Sequence, residues 1–501
     1  MSGPGPTAAF TGAAYLDSIR DDREIWFHGE RVRDAGAHPA FAQSLRTIAG
    51  LYDGLHDGSV PLSSTDTDSG GSTHPFFVTP RTGADLRAAR DAIAAWARQT
   101  FGWMGRTPDY KAALVGTFGV PREVFGPFQD NATRLYRQTQ ERVLFWNHAI
   151  VDPPVDRDRP PDEVGDIAVR VVAEDDHGIT VSGAKVVATG AVGAHLTLLA
   201  PTGARLTDES FAVVAALPMD TPGLRLLARP SYEYAAQRAG SPFDYPLSSR
   251  FDENDVILVL DRAVIAWENV LVHRDIPRAS AFIGVGGFPD RLAMHGATRL
   301  AVKLDFLSGL LHKAVRLTGA SEFRGVQARL GEVLAWRSTM WALSDAMVYD
   351  PVAREDGTVG PQPDAVNAYR LMSQIAYPRV REIALQDLGS ALIYQPSHAA
   401  DFEVPELRDP LHRYLRGSDG TSAPRRVQTM KMLWDAVGSE FAGRSDLYER
   451  SFQGSHEGVR LLIHGDHERR GETARLITFA EQAMTDYDRH GWRPGSGRAT
   501  P

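Results

Sequence analysis

Cysteine is absent from the 501 residues of this chain. A disulfide framework, a thiolate nucleophile and a cysteine-ligated metal cluster are therefore excluded. Long apolar runs are missing as well, because no stretch reaches the roughly 18 residues that a membrane-spanning helix needs. Residues 1–11 contain neither a basic region nor an apolar segment, so they do not read as a secretory signal. These absences predict a cytoplasmic protein.

Positive charge is in short supply. The 54 Lys and Arg residues are outnumbered by 63 Asp and Glu, for a formal net charge of −9. Binding to nucleic acid or to an anionic membrane needs clusters of basic residues, so we expect neither partner. No GxGxxG or GxxxxGK[ST] phosphate motif stands out, and a nicotinamide site is therefore not expected. Pairs such as Asp466-His467 lack metal-ligand spacing, and we predict no metal.

The composition, with 43% hydrophobic and 23% charged residues, is sufficient for a large hydrophobic core. Residues 1–147 predict a mostly helical N-terminal domain, with good helix formers over 85–101 and a long helical pattern over 123–146. Residues 148–280 predict a β-barrel or sandwich, because short β-rich runs alternate there with turn signals. The runs are 167–172, 179–188, 196–200, 211–217, 224–227, 256–260 and 264–267, with a hairpin turn at 175–178.

The helical period returns in the last third of the chain. Leucine and valine residues recur every three or four positions from 300 to 315, which is one face of a helix. Further helices are predicted over 326–341, 364–388 and 425–437, and four such helices make a bundle over residues 281–490. The tail 491–501 is rich in Gly, Ser and Pro and is predicted to be disordered.

One short stretch, with the sequence WMGRTPDY, combines several local signals. Thr107 is a good N-cap and Pro108 suits the first helical position, so a helix should begin here. Arg106 would then lie just before the cap and Tyr110 in the first turn, and both side chains could face the same space. Gly105 allows the backbone to approach something flat or bulky.

This stretch is one of several co-linear motifs that together resemble one enzyme family. The motifs are TGAAYL (11–16), HPAF (38–41), GRTPDY (105–110), NHA (147–149), DRDRPP (156–161), SGAKVVAT (182–189), SPFD (241–244), PLSSR (246–250) and LYER (447–450). They resemble the oxygenase component of the 4-hydroxyphenylacetate 3-monooxygenase family, the two-component flavin-dependent phenol hydroxylases. The resemblance implies an α+β, acyl-CoA dehydrogenase-like fold, with FAD between the β-domain and the helical bundle, and a homotetramer.

The implied reaction is hydroxylation of a para-substituted phenol next to its hydroxyl group, through a flavin C4a-hydroperoxide. FAD would arrive as FADH2 from a separate NAD(P)H:flavin reductase, and O2 would be the co-substrate. Within the family, the motifs at 184–190 and 252–255 look closest to hydroxylases of tyrosine or β-tyrosine units in natural-product pathways. Some of these relatives take a substrate tethered to a carrier protein.

Arg106, Tyr110 and His148 match the family's substrate-binding trio, and we predict that they are the catalytic residues. Together they could hold the phenol oxygen and favour its phenolate character, which directs electron density to the ortho carbon. His148 could accept the phenol proton near neutral pH. The structural alternative is that Arg106 caps a helix or pairs with a carboxylate, while Tyr110 and His148 are core polar residues.

Other positions match the family's flavin contacts. They are His148, Arg157, Ala188, Thr189, Gly190, Ser455 and His456. An arginine such as Arg157 can fork onto a pyrophosphate, although it follows Pro154 where the family often has a polar residue. Thr189 would lie near N5 of the flavin ring. The turn before residue 456 would offer backbone N–H groups to an anion. The alternatives are a loop charge, a strand end and a helix–helix corner.

Thr202 lies where the family closes a loop over the substrate with a Ser-Thr pair. This chain has Pro201-Thr202 instead. The resemblance makes Thr202 a substrate-binding residue, but the departure falls where the para substituent is read. We therefore do not assume 4-hydroxyphenylacetate itself as the substrate.

Two alternative functions remain open from the sequence. An acyl-CoA dehydrogenase or oxidase on the same fold would need a carboxylate base, of which the sequence shows no sign. A helical scaffold that has lost its chemistry would not need Arg106, Tyr110 and His148 together.

Overall fold

The computed structural model of the chain describes residues 8–156, 158–201 and 205–485. Two predicted ligand contacts, Arg157 and Thr202, and the predicted disordered tail 491–501 lie outside the described residues. Within them, no helix is long and apolar enough to cross a membrane.

The N-terminal part is built mainly from helices. They are α1 (Gly12–Ser18), α2 (Ala42–Asp53), α3 (Gly83–Gln99), α4 (Ala112–Val115) and α5 (Gln129–Arg142). The expected helix over 85–101 corresponds to α3, which begins with a capping box in which Thr82 and Asp85 bond each other's backbone N–H. The helix expected over 123–146 is shorter. Gly126 and Pro127 break its start into a 3-10 turn, Glu123–Phe128, because proline lacks a backbone donor.

Strands come from three parts of the chain. They are β1 (Glu24–Phe27), β2 (Glu30–Val32), β3 (Ser63–Ser64), β4 (Ser72–Thr73), β5 (Trp146–Ala149), β6 (Arg170–Asp175), β7 (Gly178–Lys185), β8 (Leu196–Leu199), β9 (Val213–Pro218), β10 (Leu224–Ala228), β11 (Val256–Ala266), β12 (Val270–His273), β13 (Val352–Ala353) and β14 (Val359–Gly360). A six-stranded sheet has the order β2-β1-β10-β11-β7-β6, and a four-stranded sheet has the order β12-β9-β8-β5.

Two features of the larger sheet differ from the sequence expectation. The N-terminal part, expected to be mostly helical, adds β1 and β2 to this sheet, and β1 runs parallel to β10. The two runs at 256–260 and 264–267 form the single strand β11, whose register with β7 shifts between Leu260 and Ala263. Such a bulge bends a strand without ending it. The predicted hairpin turn is present, with Asp175 paired to Gly178.

The remaining helices cover the sheets and form the C-terminal bundle. They are α6 (Pro161–Val164), α7 (Tyr232–Ala239), α8 (Ile276–Ala281), α9 (Phe288–Leu317), α10 (Arg324–Tyr349), α11 (Pro363–Leu388), α12 (Pro405–Tyr414), α13 (Ala423–Val437), α14 (Glu440–Ser451), α15 (His456–Arg469) and α16 (Glu472–Thr485). The four predicted bundle helices correspond to α9, α10, α11 and α13. The leucine face of α9 is buried as its spacing predicts.

A buried ion cluster joins α14 to α9. The Glu449 carboxylate accepts hydrogen bonds from Arg299 at 2.6 and 2.8 Å and from Lys303 at 2.8 Å. Burial alone would raise the pKa of Glu449, but the two cations outweigh burial and lower the pKa to about 2. The carboxylate therefore stays ionised, and its contribution to stability is present above its ordinary pKa and lost as the pH falls towards about 2.

We expect Glu449→Gln to lower the free energy of unfolding by about 3–5 kcal/mol, because it leaves two buried cations without a counter-charge. Urea or thermal unfolding of the full-length chain would measure the change. Glu468→Gln, on the exposed side of α15, is the matched control and should leave the midpoint unchanged. Equal midpoints for both variants would contradict the prediction.

Candidate active site

The site begins where the sequence predicts a helix start. Thr107 is the N-cap of a 3-10 turn, Pro108–Lys111, that runs directly into α4. The Thr107 hydroxyl donates to the Asp109 carboxylate at 2.5 Å rather than accepting from the backbone. The turn buries Tyr110 and aims it at the neighbouring strand β5.

Arg106, Tyr110 and His148 come together in space. The hydroxyl of Tyr110 lies 3.0 Å from Nδ1 of His148. The guanidinium carbon of Arg106 lies 4.2 Å from the centroid of the Tyr110 ring, within cation–π range. Of the structural alternative, a salt bridge between Arg106 and a carboxylate is not found among the described residues, whereas Tyr110 and His148 do form a buried hydrogen-bonded pair.

Arg106 is held from the C-terminal side by α14. Its Nη1 donates to the Tyr448 hydroxyl at 2.7 Å, and the rings of Tyr448 and Phe452 flank it at 4.7 and 5.1 Å. Its Nε is buried and has no hydrogen-bond partner among the described residues. A Cβ on Gly105 would lie 2.2 Å from the Tyr448 hydroxyl, so Tyr448 is the bulky group that the glycine admits.

Burial, and then nearby positive charge, keep His148 neutral. Burial lowers the pKa of His148 well below its ordinary value, and the positive charges of Lys111 and then Arg106 lower it further. Burial raises the pKa of the Tyr110 phenol, although Arg106 opposes the shift. Tyr110 and His148 are therefore a neutral pair that can exchange donor and acceptor roles.

Ala188, Thr189 and Gly190 follow β7 at the edge of the pocket. The Thr189 hydroxyl donates to the Asp255 carboxylate at 2.5 Å, and the Gly190 N–H donates to the carbonyl of Asn254 at 2.8 Å. Just before them, Val187 has a φ of 56° and is 57% exposed. A β-branched residue in the left-handed region is strained, and such strain concentrates at functional sites.

Carboxylates near the site are already paired. Asp255 accepts from Arg444 at 2.8 Å and from Arg229 at 2.8 Å. Burial would raise the pKa of Asp255, but these guanidinium groups lower it below its ordinary value. Glu253 accepts from the Arg106 backbone at 2.5 Å and from Arg444 at 2.6 Å.

An open cavity of about 830 Å³ lies at the proline-rich connector that follows β5. Val151, Val155 and residues of the segment 205–207 line it, whereas Arg106, Tyr110, His148 and Thr189 do not. The volume is within the range of a cavity for a small molecule or cofactor.

The sequence matches two family profiles in succession. The profile described as 4-hydroxyphenylacetate 3-hydroxylase N terminal matches residues 11–272, and the profile described as 4-hydroxyphenylacetate 3-hydroxylase C terminal matches residues 279–481. The chain belongs to the 4-hydroxyphenylacetate 3-hydroxylase family. The resemblance carried by the sequence motifs is thereby confirmed.

Relatives in this family match almost the whole chain. The chain is 51% identical over 488 residues, 97% of its length and 93% of the relative's, to the (3S)-3-amino-3-(3-chloro-4-hydroxyphenyl)propanoyl-[peptidyl-carrier protein SgcC2] monooxygenase of Streptomyces globisporus. It is 50% identical over 492 residues, 98% of its length and 94% of the relative's, to the oxygenase component of 4-nitrophenol 2-monooxygenase from Rhodococcus sp.

A solved structure confirms the fold class. The oxygenase component of 4-hydroxyphenylacetate 3-monooxygenase, complexed with FAD and 4-hydroxyphenylacetate, matches with a TM-score of 0.88 at 30% identity, over 96% of this chain and 100% of that one. The α+β fold class expected from the sequence is thus confirmed for this chain.

The predicted C-terminal flavin contacts lie close to the cluster along the chain. Ser455 caps α15 by accepting from the Gly458 N–H at 3.1 Å, and it follows Phe452, which packs on Arg106. The side chains of Ser455 and His456 are exposed. Their predicted contact with the flavin stays a prediction.

Sequence reasoning missed several residues of this family member's site. They are Lys111, Glu253, Asp255, Arg444 and Tyr448. The segments 252–255 and 447–450 were recognised as family motifs, but one sequence carries no signal that they meet each other. Lys111 directly follows the recognised motif and could have been found there as the lysine that precedes the apolar segment Ala112–Val115.

The neutral state of His148 predicts how stability depends on pH. As the pH falls through about 6.5, the unfolded chain protonates this histidine while the folded chain does not, so acid favours unfolding. We expect the unfolding midpoint of the parent to fall more steeply between about pH 7.5 and about pH 5.5 than that of His148→Asn. If the unfolding midpoint depended on pH equally in both proteins, the folded protein would protonate His148 as readily as the unfolded chain does.

Proposed function

We propose that this chain is the oxygenase component of a two-component phenol hydroxylase, which uses FADH2 and O2 to hydroxylate a para-substituted phenol next to its hydroxyl group. The observation that carries the proposal is the cluster of Arg106, Tyr110 and His148. Within this cluster, Nε of Arg106 is a buried hydrogen-bond donor without a partner. Such a donor costs free energy unless an oxygen atom of a ligand accepts its hydrogen bond.

The cluster suits a phenol oxygen. Nδ1 of His148 is engaged by Tyr110, so Nε2 is the nitrogen that faces a ligand. When Nδ1 carries the hydrogen and donates to Tyr110, Nε2 accepts the phenol proton. Arg106 can only donate, so it favours the phenolate form, in which electron density at the ortho carbon is highest.

The segment after β7 suits a flavin. Gly190 lies against Arg106, and the strained, exposed Val187 leaves an apolar surface for a flat ring. We assign contacts with the flavin to His148, Arg157, Ala188, Thr189, Gly190, Ser455 and His456. When bound as FADH2, the cofactor activates O2 and supplies one oxygen atom to the ring, and the other oxygen leaves as water.

The electrons must come from elsewhere, because an oxygenase component receives its flavin already reduced. We therefore infer an NAD(P)H:flavin reductase as partner. The relatives described above act on 4-nitrophenol and on a carrier-bound chlorohydroxyphenyl substrate. Their common feature is a phenol with a para substituent. We propose a tyrosine-derived or 4-hydroxyphenylacetate-like phenol, free or carrier-bound, with Thr202 at its para end. The cytoplasmic location stays a prediction of the sequence.

The pairing of the nearby carboxylates opposes the acyl-CoA dehydrogenase alternative. That chemistry needs a carboxylate free to take a proton from carbon. Glu253 and Asp255 both accept hydrogen bonds from Arg444, and the pKa of Asp255 lies below its ordinary value because Arg444 and Arg229 outweigh its burial. Neither is suited to act as the base.

The proposed reaction is tested by supplying FADH2 through a flavin reductase under ¹⁸O₂. We expect a catechol that carries one labelled oxygen atom. Arg106→Met, Tyr110→Phe and His148→Asn should each lower kcat/KM by about 10²–10⁴-fold, because each removes a group that binds the phenol oxygen. His464→Asn, exposed on α15, is the control and should retain activity. Flavin oxidation without a labelled catechol from any para-substituted phenol would overturn the proposal.

We also propose that the chain assembles as a homotetramer. Apolar side chains stay exposed on α15 and α16, and Phe479 is 72% exposed. Such a surface is typical of an interface. Light scattering should give a particle mass four times that of one chain. The double variant Ile477→Glu, Phe479→Glu should lower that mass, whereas the control Leu62→Glu, at an exposed loop position, should leave it unchanged. A monomeric parent would contradict the proposal.

A further inference from the structure

Lys111 is a buried lysine at the centre of the cluster. It ends the 3-10 turn that carries Tyr110 and is 1% exposed. Its Nζ lies 4.6 Å from the centroid of the Tyr110 ring and 4.7 Å from that of Phe288. Aromatic faces stabilise a cation only partly.

The other buried lysines of the described chain are all paired with carboxylates. Lys185 donates to Asp152 at 2.7 Å, Lys303 to Glu449 at 2.8 Å and Lys431 to Asp244 at 2.6 Å. Among the described residues, Lys111 has no ion pair and no hydrogen bond at Nζ. Lys111 is therefore the one buried lysine of the described chain that has no carboxylate partner.

An unpaired ammonium in a protein interior is costly, and the site offers no anion of its own. Burial lowers the pKa of Lys111 well below its ordinary value, and the charge of Arg106 lowers it further. The one carboxylate on its own turn, Asp109, is taken by Thr107 and by His295 at 3.4 Å. The titratable and charged groups on the elements packed around Lys111 are Tyr110 and Asp109 on its turn, Arg106 on the preceding loop, His148 on β5, and His295 and Arg291 on α9.

We propose that Lys111 supplies the counter-charge that allows this pocket to hold its substrate as a phenolate, and that the pocket thereby selects phenols that ionise readily. The inference rests on the proposed function. His148 accepts the phenol proton at Nε2, and the ammonium group of Lys111 then serves as the counter-charge of the phenolate. Phenol and imidazole thus become phenolate and imidazolium, with no net charge added to the pocket. Lys111 is a positioning residue, because it acts through the charge around His148 and Tyr110.

The ionisation of a bound chromogenic phenol tests this inference without flavin. The full-length chain is titrated with 4-nitrophenol, whose phenolate is yellow, across the neutral pH range. We expect the apparent pKa of the bound probe to lie below that of the free probe. In Lys111→Met the apparent pKa should rise by about one unit, a tenfold change in proton affinity. Lys111→Arg, which keeps the charge, should restore the low value.

Stability separates this role from a structural one. Lys111→Met leaves no carboxylate without a partner, so we expect its unfolding temperature to equal or exceed that of the parent. Lys431→Met is the matched control: it leaves Asp244 without its cation, so it should lower the unfolding temperature yet leave the pKa of the bound probe unchanged.

A bound probe with the same apparent pKa in the parent and in Lys111→Met would overturn the role of Lys111 and leave the proposed function intact. A probe that does not bind to the parent at all would overturn both. Loss of stability in Lys111→Met with unchanged probe ionisation would assign the lysine a structural role instead.

Discussion

The placement of the Arg106 guanidinium is the constraint on which this site depends. Three aromatic rings surround it, the Tyr448 hydroxyl is its hydrogen-bond partner, and no carboxylate neutralises it directly. Its backbone is fixed instead by Glu253, which also binds Arg444 on α14. A buried charge tolerates little displacement, so the N-terminal loop, the segment before β11 and α14 must all be in place before the site exists.

The same arrangement sets the sign of the potential in the pocket. The carboxylates of Glu253 and Asp255 are paired with Arg444 and Arg229, and Glu253 contacts Arg106 only through its backbone N–H. Arg106 and Lys111 therefore face the pocket without anions of their own. A site of this kind favours an anionic ligand and keeps the imidazole of His148 neutral, which fits a substrate that gives up its phenol proton.

Three features of the site lower the free energy of unfolding of the unliganded chain. An unpaired buried lysine, an arginine Nε without a partner and a valine in the left-handed region each cost free energy in the unliganded chain. In the neighbouring ion cluster, by contrast, the Glu449 carboxylate is paired with both Arg299 and Lys303, and it lies one residue beyond Tyr448 on the same helix. The helix that carries this paired carboxylate thus also holds the group that restrains Arg106.

The sequence by itself determined the elements that depend on local patterns. The leucine spacing of α9, the hairpin turn at 175–178 and the helix start after Thr107 were all readable, because periodicity, turn residues and caps act over a few positions. The family motifs also singled out Arg106, Tyr110 and His148, which the structure brings together. Only the tertiary structure decided that β1 and β2 join the large sheet, that Tyr448 fills the space above Gly105, and that Lys111 lacks a carboxylate. Those facts depend on contacts between residues that are far apart in sequence, and a single sequence carries no record of which distant residues meet.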